Sequence, residues 1–306
     1  RLPSMNDISH WPLQAEITQA DIDQRIYDLY DEYCHGGMDR RSFLQRAAVA
    51  VVGGLAMAQA LLPRYAQAQT ISFTDTRMKG TYVSYPSPGG NSGTMRGYLV
   101  QPTGTGPFPT VLVIHENRGL NPYIEDVARR LGVAGYMAFA GDGLTSVGGY
   151  PGDDEKGAQM FGQVDRAKMG NDFEAAARWL KGRADCTGKV GAVGFCFGGG
   201  VVNNLAVSMG ADLNAGAPYY GAQPSAADAA KIKAPIMAHY GELDTRITGG
   251  WAAFETALKA AGVPATGYVY EKANHGFHND TTPRYDEAAA KLAWQRTLDH
   301  FNKYLR

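Results

Sequence analysis

The chain has 306 residues, of which 44% are hydrophobic and 19% charged, so it can bury the core of an ordinary globular protein. Its formal net charge is −1, and Lys and Arg are spread along the chain without a basic block, which argues against nucleic acid as a partner. The three cysteines, Cys34, Cys186 and Cys196, share no CxxC or CxxH spacing, so we expect neither a disulfide framework nor a zinc knuckle.

Residues 39–68 have the organisation of an export signal. Asp39–Leu44 (DRRSFL) resembles the twin-arginine motif, an apolar stretch covers Ala47–Leu62, and Ala66–Ala68 (AQA) is a small-x-small site of the kind signal peptidases cut. The apolar stretch contains two glycines and a glutamine and is too short for a membrane span. We therefore predict a periplasmic or exported protein whose catalytic domain begins at residue 69.

The same segment also fits a structural N-terminal arm. Thirty-eight residues precede Asp39, many for the start of a signal, and apolar side chains recur at helical spacing in residues 22–33. Such an arm would bury its apolar face on the body, or on a second copy of the chain to form a homo-oligomer. In that alternative residues 1–68 are kept and the protein is cytoplasmic.

From Thr70 onward the pattern is that of an α/β protein. Thr81–Tyr85 and Met95–Gln101 alternate apolar and polar residues around a Pro/Gly turn segment and predict an antiparallel hairpin. Short apolar runs predict six more strands, at Thr110–His115, Tyr136–Ala140, Lys189–Gly194, Ala215–Tyr220, Pro235–Tyr240 and Thr266–Tyr270. Helical periodicity lies between them, at Tyr123–Val133, Asn171–Lys181, Phe197–Ser208, Trp251–Ala261 and Tyr285–Tyr304. Alternating strands and helices predict a mainly parallel twisted sheet flanked by helices, with the antiparallel hairpin at its start.

A glycine-flanked cysteine follows the predicted strand Lys189–Gly194. The segment Gly194–Gly199 (GFCFGG) has the strand, tight turn and helix order of a nucleophile elbow, whose nucleophile needs small neighbours because its backbone is strained. We therefore predict Cys196 as the nucleophile and the backbone N–H of Phe197 as one donor of an oxyanion hole. The alternative is that Cys196 is a small buried residue at a glycine-rich junction.

A carboxylate and a histidine follow Cys196 in the order that this kind of site requires, nucleophile, acid, histidine. Asp244 comes just after the predicted strand Pro235–Tyr240, and His275 comes after the last predicted strand. The carboxyl ends of parallel strands share one edge of a sheet, so the three side chains should meet there. Other candidates are Glu242 for the acid and His278, His239 and His115 for the histidine.

These segments resemble the dienelactone hydrolases, a branch of the α/β hydrolases with a cysteine nucleophile. The resemblance rests on GFCFGG, on GELD at 241–244, on NHGF at 274–277, and on VIHENRGL at 113–120 with its continuation to Arg130. It covers nearly the whole body in the family's order. It implies the α/β-hydrolase fold, an ester or lactone substrate, and no metal or organic cofactor.

The resemblance also implies a role for Glu116 and Asn117. The glutamate contacts the resting thiol and controls its ionisation, since a carboxylate beside a thiol raises both proton affinities. The backbone N–H of Asn117 is the second oxyanion donor. The alternative is that Glu116 forms a structural ion pair with Arg118 or Arg129.

The substrate's binding groups are less clearly marked in the sequence. Family members that act on dienelactone bind its carboxylate with arginines, one of them a few residues after the histidine, and residues 276–280 contain no arginine. Arg118, Arg246 or Arg284 could substitute. We predict pocket contacts from four residues, Arg118, Tyr150, Tyr220 and Phe277.

We thus predict a hydrolase that cleaves an ester or lactone through Cys196, His275 and Asp244 and an acyl-enzyme thioester. A thioesterase on the same fold is an alternative. So is a thiol redox protein, for which Cys186 would be the resolving cysteine. A non-catalytic binding module is a further alternative, although it would not need the complete set of three side chains.

Overall fold

The computed structural model describes residues 22–34, 38–60 and 70–306. Within these ranges the strands are β1 (Met78–Ser87), β2 (Gly93–Pro102), β3 (Phe108–Ile114), β4 (Met137–Gly141), β5 (Cys186–Phe195), β6 (Ala215–Tyr219), β7 (Ile236–Gly241) and β8 (Ala265–Tyr270). The helices are α1 (Gln24–Cys34), α2 (Arg40–Ala50), α3 (Gly54–Ala60), α4 (Pro122–Val133), α5 (Asp154–Phe161), α6 (Arg166–Lys181), α7 (Phe197–Met209), α8 (Ala226–Ala229), α9 (Thr245–Thr248), α10 (Trp251–Ala260) and α11 (Glu287–Leu305).

The strands form one sheet in the order β1-β2-β4-β3-β5-β6-β7-β8. The β1–β2 and β2–β4 pairs are antiparallel, and the pairs from β4 to β8 are parallel. This arrangement confirms the predicted α/β-hydrolase fold with an antiparallel hairpin at its start. The central strand β5 ends at Phe195, so the residue after it, Cys196, lies in the middle of the carboxyl edge of the sheet.

Both faces of the parallel strands are buried, which explains their uninterrupted apolar runs. In β3, Leu112 and Ile114 pack into the core beneath α6, α7 and α10, whereas Val111 and Val113 pack into the core beneath α4 and α11. Each fully buried side chain of this kind contributes roughly 1.5–3 kcal/mol to stability. The double-sided core holds the strand ends, and therefore the site at this edge, in fixed positions.

Helices α1, α2 and α3 form an N-terminal arm with a small core of its own, made by Ile22, Ile26, Tyr30, Phe43, Ala47 and Ala58. The helical spacing of residues 22–33 corresponds to α1, and Asp39 caps α2 by accepting a hydrogen bond from the backbone N–H of Ser42 (2.7 Å). The signal-like segment thus forms α2 and α3, while the predicted cleavage site at 66–68 lies outside the described residues. Export remains a prediction.

No helix in the described part of the chain is both long enough and apolar enough to cross a bilayer. The arm helices are short: α2 has 11 residues and α3 has 7.

Four helices of the body depart from the pattern that periodicity indicates. The sequence gives no prediction for α5 or for the four-residue helices α8 and α9, and α6 begins at Arg166 rather than at Asn171. Asp153 caps α5 and Asp165 caps α6, each accepting a hydrogen bond from a backbone N–H of the first turn. These first turns are polar and are stabilised by their caps, so an apolar period could not reveal them.

Candidate active site

Cys196 occupies a strained turn between β5 and α7. Its φ of 55° and ψ of −114° lie outside the regions that non-glycine residues favour. Its backbone N–H donates to the carbonyl of Tyr219 at the end of β6 (3.1 Å), and its carbonyl accepts from Gly200 in α7 (3.2 Å). The turn is therefore held from both sides, by the neighbouring strand and by the first turn of the helix.

Glycines on both sides of Cys196 allow this turn to form. A Cβ on Gly194 would lie 2.1 Å from the carbonyl oxygen of Gly198, and a Cβ on Gly198 would lie 2.3 Å from the carbonyl oxygen of Ile114 in β3. Both contacts are to backbone, which cannot move without shifting the strand or the helix. The spacing of the two glycines is thus required by packing.

We predict that Gly198→Ala destabilises the protein by about 3 kcal/mol, because the added methyl overpacks a backbone contact. Gly170 of α6 is a matched control, since a Cβ there meets no atom within 4 Å, and Gly170→Ala should stabilise by about 0.5–1 kcal/mol. Chemical denaturation of both variants measures the difference. Equal stabilities would show that the turn is not packed as described.

Asp244 and His275 form a buried pair beside this turn. The Nδ1 of His275 donates to Oδ2 of Asp244 over 2.6 Å, and each side chain is 4% exposed. Asp244 precedes α9 but makes no capping hydrogen bond, so its carboxylate serves the imidazole instead. Asn274 holds the backbone of the histidine, since its Oδ1 accepts a hydrogen bond from the His275 backbone N–H (2.8 Å).

Asp244 occupies Nδ1 of the imidazole, so Nε2 is the nitrogen that remains for Cys196, whose charge acts on His275. Burial lowers the pKa of His275, but the negative charges of Cys196 and Asp244 and the hydrogen bond to Asp244 outweigh burial. The pKa of His275 is therefore raised well above its ordinary value. An imidazolium at this position is stabilised by an anionic group on each side.

The other candidate histidines have different partners. Nδ1 of His278 lies 2.7 Å from the Tyr123 hydroxyl, Nδ1 of His239 lies 2.9 Å from the Tyr270 hydroxyl, and Nε2 of His115 accepts from the Gly143 backbone N–H (3.0 Å). Burial lowers the pKa of all three, so they are neutral structural groups.

The rival acid, Glu242, is exposed at the surface. Its Oε2 accepts from the backbone N–H of Lys272 (2.7 Å). Of the two candidate carboxylates, Asp244 is the one that contacts a candidate histidine.

Glu116 lies just after β3 and is buried. Its Oε2 accepts from Nδ2 of Asn279 (2.9 Å), which joins this loop to the loop that carries His275. The two arginines considered as its partners pair elsewhere, Arg118 with Asp154 (3.3 Å) and Arg129 with Asp126 (3.5 Å).

The Tyr220 side chain lies close to both Glu116 and Cys196. Burial is the largest cause that raises the pKa of Tyr220, and the charges of Glu116 and Cys196 raise it further. Both groups thus act on the same buried hydroxyl, and a contact between Glu116 and the thiol stays a prediction.

A cavity of about 240 Å³ opens above Cys196. Its lining includes three of the predicted site residues besides the cysteine, namely Asn117, Phe197 and Tyr220. The remaining lining residues are Phe161, Arg166, Gly200, Val201, Asn204, Ala222, Arg246 and Ile247. The cavity is therefore mainly apolar, with two guanidinium groups on its wall.

The sequence model of the "Dienelactone hydrolase family" matches residues 95–305 of the chain. The chain belongs to the dienelactone hydrolase family. A "Putative carboxymethylenebutenolidase" of Methylorubrum extorquens is 32% identical over 234 residues, which cover 69% of this chain and 78% of that protein. A crystal structure of a "Putative Dienelactone Hydrolase" from Klebsiella pneumoniae superposes with a TM-score of 0.64 at 27% identity, covering 74% of this chain and 99% of that one.

A second family model, "YqhI-like", matches residues 14–51, in the N-terminal region. Among the relatives over part of the chain, the "Putative hydrolase fragment YghX" of Escherichia coli is 57% identical over 112 residues, which cover 36% of this chain and 95% of that fragment.

Three of the predicted pocket residues lie outside the lining of the cavity at Cys196. Phe277 is fully buried behind Tyr220, with ring centres 5.5 Å apart. Arg118 is buried beneath the arm, and Tyr150 is tied through its backbone N–H to Asp142 (2.7 Å).

The cavity also contains residues that the sequence did not indicate. Phe161 and Arg166 come from the end of α5 and the start of α6, and Asn204 comes from α7. None of them belongs to a motif, and two of them reach the site because the end of α5 and the start of α6 lie at the cavity. Arg246, named only as a substitute for the family's arginine, does line the cavity.

Proposed function

We propose that this dienelactone hydrolase family member cleaves a carboxylic ester or lactone by acyl transfer to Cys196. The observation that carries the proposal is a buried Asp244–His275 hydrogen bond (2.6 Å) whose imidazole is acted on by the charge of Cys196, a residue in a strained turn that lines a cavity. The names of the curated and structural relatives, carboxymethylenebutenolidase and dienelactone hydrolase, favour a lactone or a related ester.

In the proposed reaction the Cys196 thiolate attacks the substrate carbonyl and forms a tetrahedral oxyanion. Backbone N–H groups of Phe197, at the start of α7, and of Asn117 stabilise that charge, and such preorganised donors usually supply a large part of the rate enhancement. The carbon–oxygen bond to the alkoxide then breaks, and His275 gives the alkoxide its proton. A thioester remains on Cys196.

Water then completes the cycle. His275, now neutral, takes a proton from the water as it attacks the thioester, and the thiolate leaves. Asp244 keeps Nδ1 protonated, so Nε2 faces the sulfur and the water in both steps. A thioester substrate could follow the same steps, with a thiolate in place of the alkoxide.

We infer that Glu116 opposes the ionisation of Cys196 in the resting protein, since like charges raise each other's proton affinity. Its hydrogen bond from Asn279 holds the buried carboxylate in place. A substrate that fills the cavity displaces water and brings the carbonyl to the sulfur, where His275 can then act.

The redox alternative has little support from the described residues. Cys186 is the first residue of β5, and Cys196 follows its last, so a strand of ten residues separates them. Such a strand spans about 30 Å, far more than the roughly 7 Å that a disulfide tolerates between Cα atoms. Cys186 cannot therefore resolve an oxidised Cys196 without unfolding the sheet.

Labelling with iodoacetamide tests the proposed roles of His275 and Glu116. Because the pKa of His275 is raised, its positive charge persists above pH of about 6.5 and favours the thiolate below the ordinary cysteine pKa of about 8.5. We expect His275→Ala to shift the labelling profile of Cys196 to higher pH, and Glu116→Gln to shift it to lower pH. In the protein without substitutions, the rate of hydrolysis of a chromogenic acetate ester should fall as the labelled fraction of Cys196 increases.

Peptide mass spectrometry identifies the labelled cysteine, so Cys186 serves as an internal reference in each sample. Shifts of the same sign in the two variants, or full hydrolysis by protein labelled at Cys196, would contradict the proposal.

A further inference from the structure

A second cavity, of about 270 Å³, lies between the N-terminal arm and the body. The arm supplies Tyr33, Met38 and Asp39 to its wall, from the end of α1 and the start of α2. The body supplies Asn117, Glu155, Ala158, Gln159, Phe161, Gly162 and Arg166, most of them from α5 and the residues that follow it.

This second cavity adjoins the cavity at Cys196. Asn117, Phe161 and Arg166 line both, so the two spaces share one wall. Each is smaller than ligand pockets of about 300–1,000 Å³, whereas the two together fall in that range. Asn117 is the proposed oxyanion donor, so the second cavity begins beside the position of the reacting carbonyl.

The arm is anchored on the body at Tyr30. This side chain is 1% exposed, and its hydroxyl accepts a hydrogen bond from the guanidinium of Arg118 (2.6 Å). The guanidinium carbon of Arg284 lies 4.3 Å from the centre of the Tyr30 ring, a cation–π distance. Arg118 and Arg284 are themselves buried, so the contact is part of the packed structure.

The anchor also fixes the arm's part of the wall. Tyr30 packs edge-on against Phe43 (ring centres 5.7 Å apart), and Phe43 stacks on Tyr33 (5.3 Å). Tyr33 is therefore placed at the cavity by a continuous aromatic contact that begins at the body.

We propose that the arm completes a second substrate subsite, which holds the distal part of an elongated ester while the carbonyl lies at Cys196. This inference rests on the proposed hydrolase function and deepens it by naming the substrate's shape. The wall of the arm cavity combines apolar surface from Tyr33 and Met38 with the carboxylates of Asp39 and Glu155 and the guanidinium of Arg166. The carboxylates outnumber the guanidinium by two to one, so the distal group is accordingly neutral or cationic.

The two cavities thus differ in charge. Arg166 lines both cavities, Arg246 lines only the cavity at Cys196, and the two carboxylates line only the arm cavity. An ester that fits both has its distal group at the arm end and any acidic group at the Arg246 end.

Filling the arm cavity with a larger side chain tests the subsite. Met38→Trp in the full chain should lower kcat/KM about tenfold or more for an extended ester and leave that for 4-nitrophenyl acetate unchanged. Two extended substrates cover both orientations, a 4-nitrophenyl ester of a long amino-substituted acid and an acetate ester of a long amino alcohol. Val49→Trp is the matched control, since Val49 of α2 is 85% exposed.

Reversal of charge gives a second test that does not depend on the tryptophan being accommodated. Glu155→Lys should raise kcat/KM for an extended ester with a distal carboxylate and lower it for the amino-substituted one. Loss of activity on 4-nitrophenyl acetate in equal proportion, or no change with either extended ester, would overturn the subsite alone. An unmodified protein that hydrolyses no ester would overturn the proposed function as well.

Discussion

Cys196→Ala is expected to reduce hydrolysis of a chromogenic ester by about four to six orders of magnitude, the range found when a catalytic nucleophile is removed. The substitution leaves the cavity, the oxyanion donors and the Asp244–His275 pair in place. Only the group that forms the acyl-enzyme is lost. Initial rates at saturating substrate, with the fold checked by thermal unfolding, measure the effect.

The same substitution at Cys186 is the matched control. Cys186 is also buried, and its sulfur accepts from the backbone N–H of Gly188 (3.3 Å) at the opposite end of β5. The Cys186→Ala protein should therefore hydrolyse the chromogenic ester at the unmodified rate. A Cys196→Ala protein that hydrolyses the ester at the unmodified rate would rule out cysteine as the nucleophile.

Asp244→Asn is expected to lower kcat by about 10⁴, with a small effect on KM, because the amide no longer imposes the tautomer that directs Nε2 to the sulfur. Removal of the carboxylate also withdraws a charge that raises the pKa of His275, so the imidazolium becomes less stable. The pH at which kcat falls on the acid side of its profile should therefore shift, in addition to the drop in the maximum kcat. Steady-state rates across pH measure both effects.

Glu242→Gln is the control for this change. Glu242 lies two residues earlier, on the same loop, but is exposed and contacts Lys272 rather than a candidate histidine. Its replacement should leave kcat and its pH profile unchanged. If Glu242→Gln lowered kcat as much as Asp244→Asn does, the assignment of the acid would be wrong.

Much of the body could be predicted because its signals are local. Each buried strand is a short apolar run, and the glycines around Cys196 are needed for contacts within one turn. The positions of Asp244 and His275 follow from chain order and from the rule that parallel strands end at one edge. The predicted fold class and family are confirmed.

The rest of the site depends on contacts between distant parts of the chain. Arg166 lines the cavity because α6 begins at a capped polar turn, which has no apolar period. Tyr33 and Met38 precede both the body and the signal-like segment 39–68, so no local pattern connects them with Cys196. Arg118 shows the opposite case. It is predicted as a pocket residue and follows Asn117 directly in sequence, but its side chain packs under Tyr30 and does not line the cavity.

The most direct test of cysteine acylation is the mass of the unmodified protein when it is quenched with acid during the first turnovers of 4-nitrophenyl acetate. We expect a population heavier by one acetyl group, located on the peptide that contains Cys196 and released by hydroxylamine. Turnover of the ester without an adduct on that peptide, or with the acetyl group on another residue, would contradict the proposed mechanism.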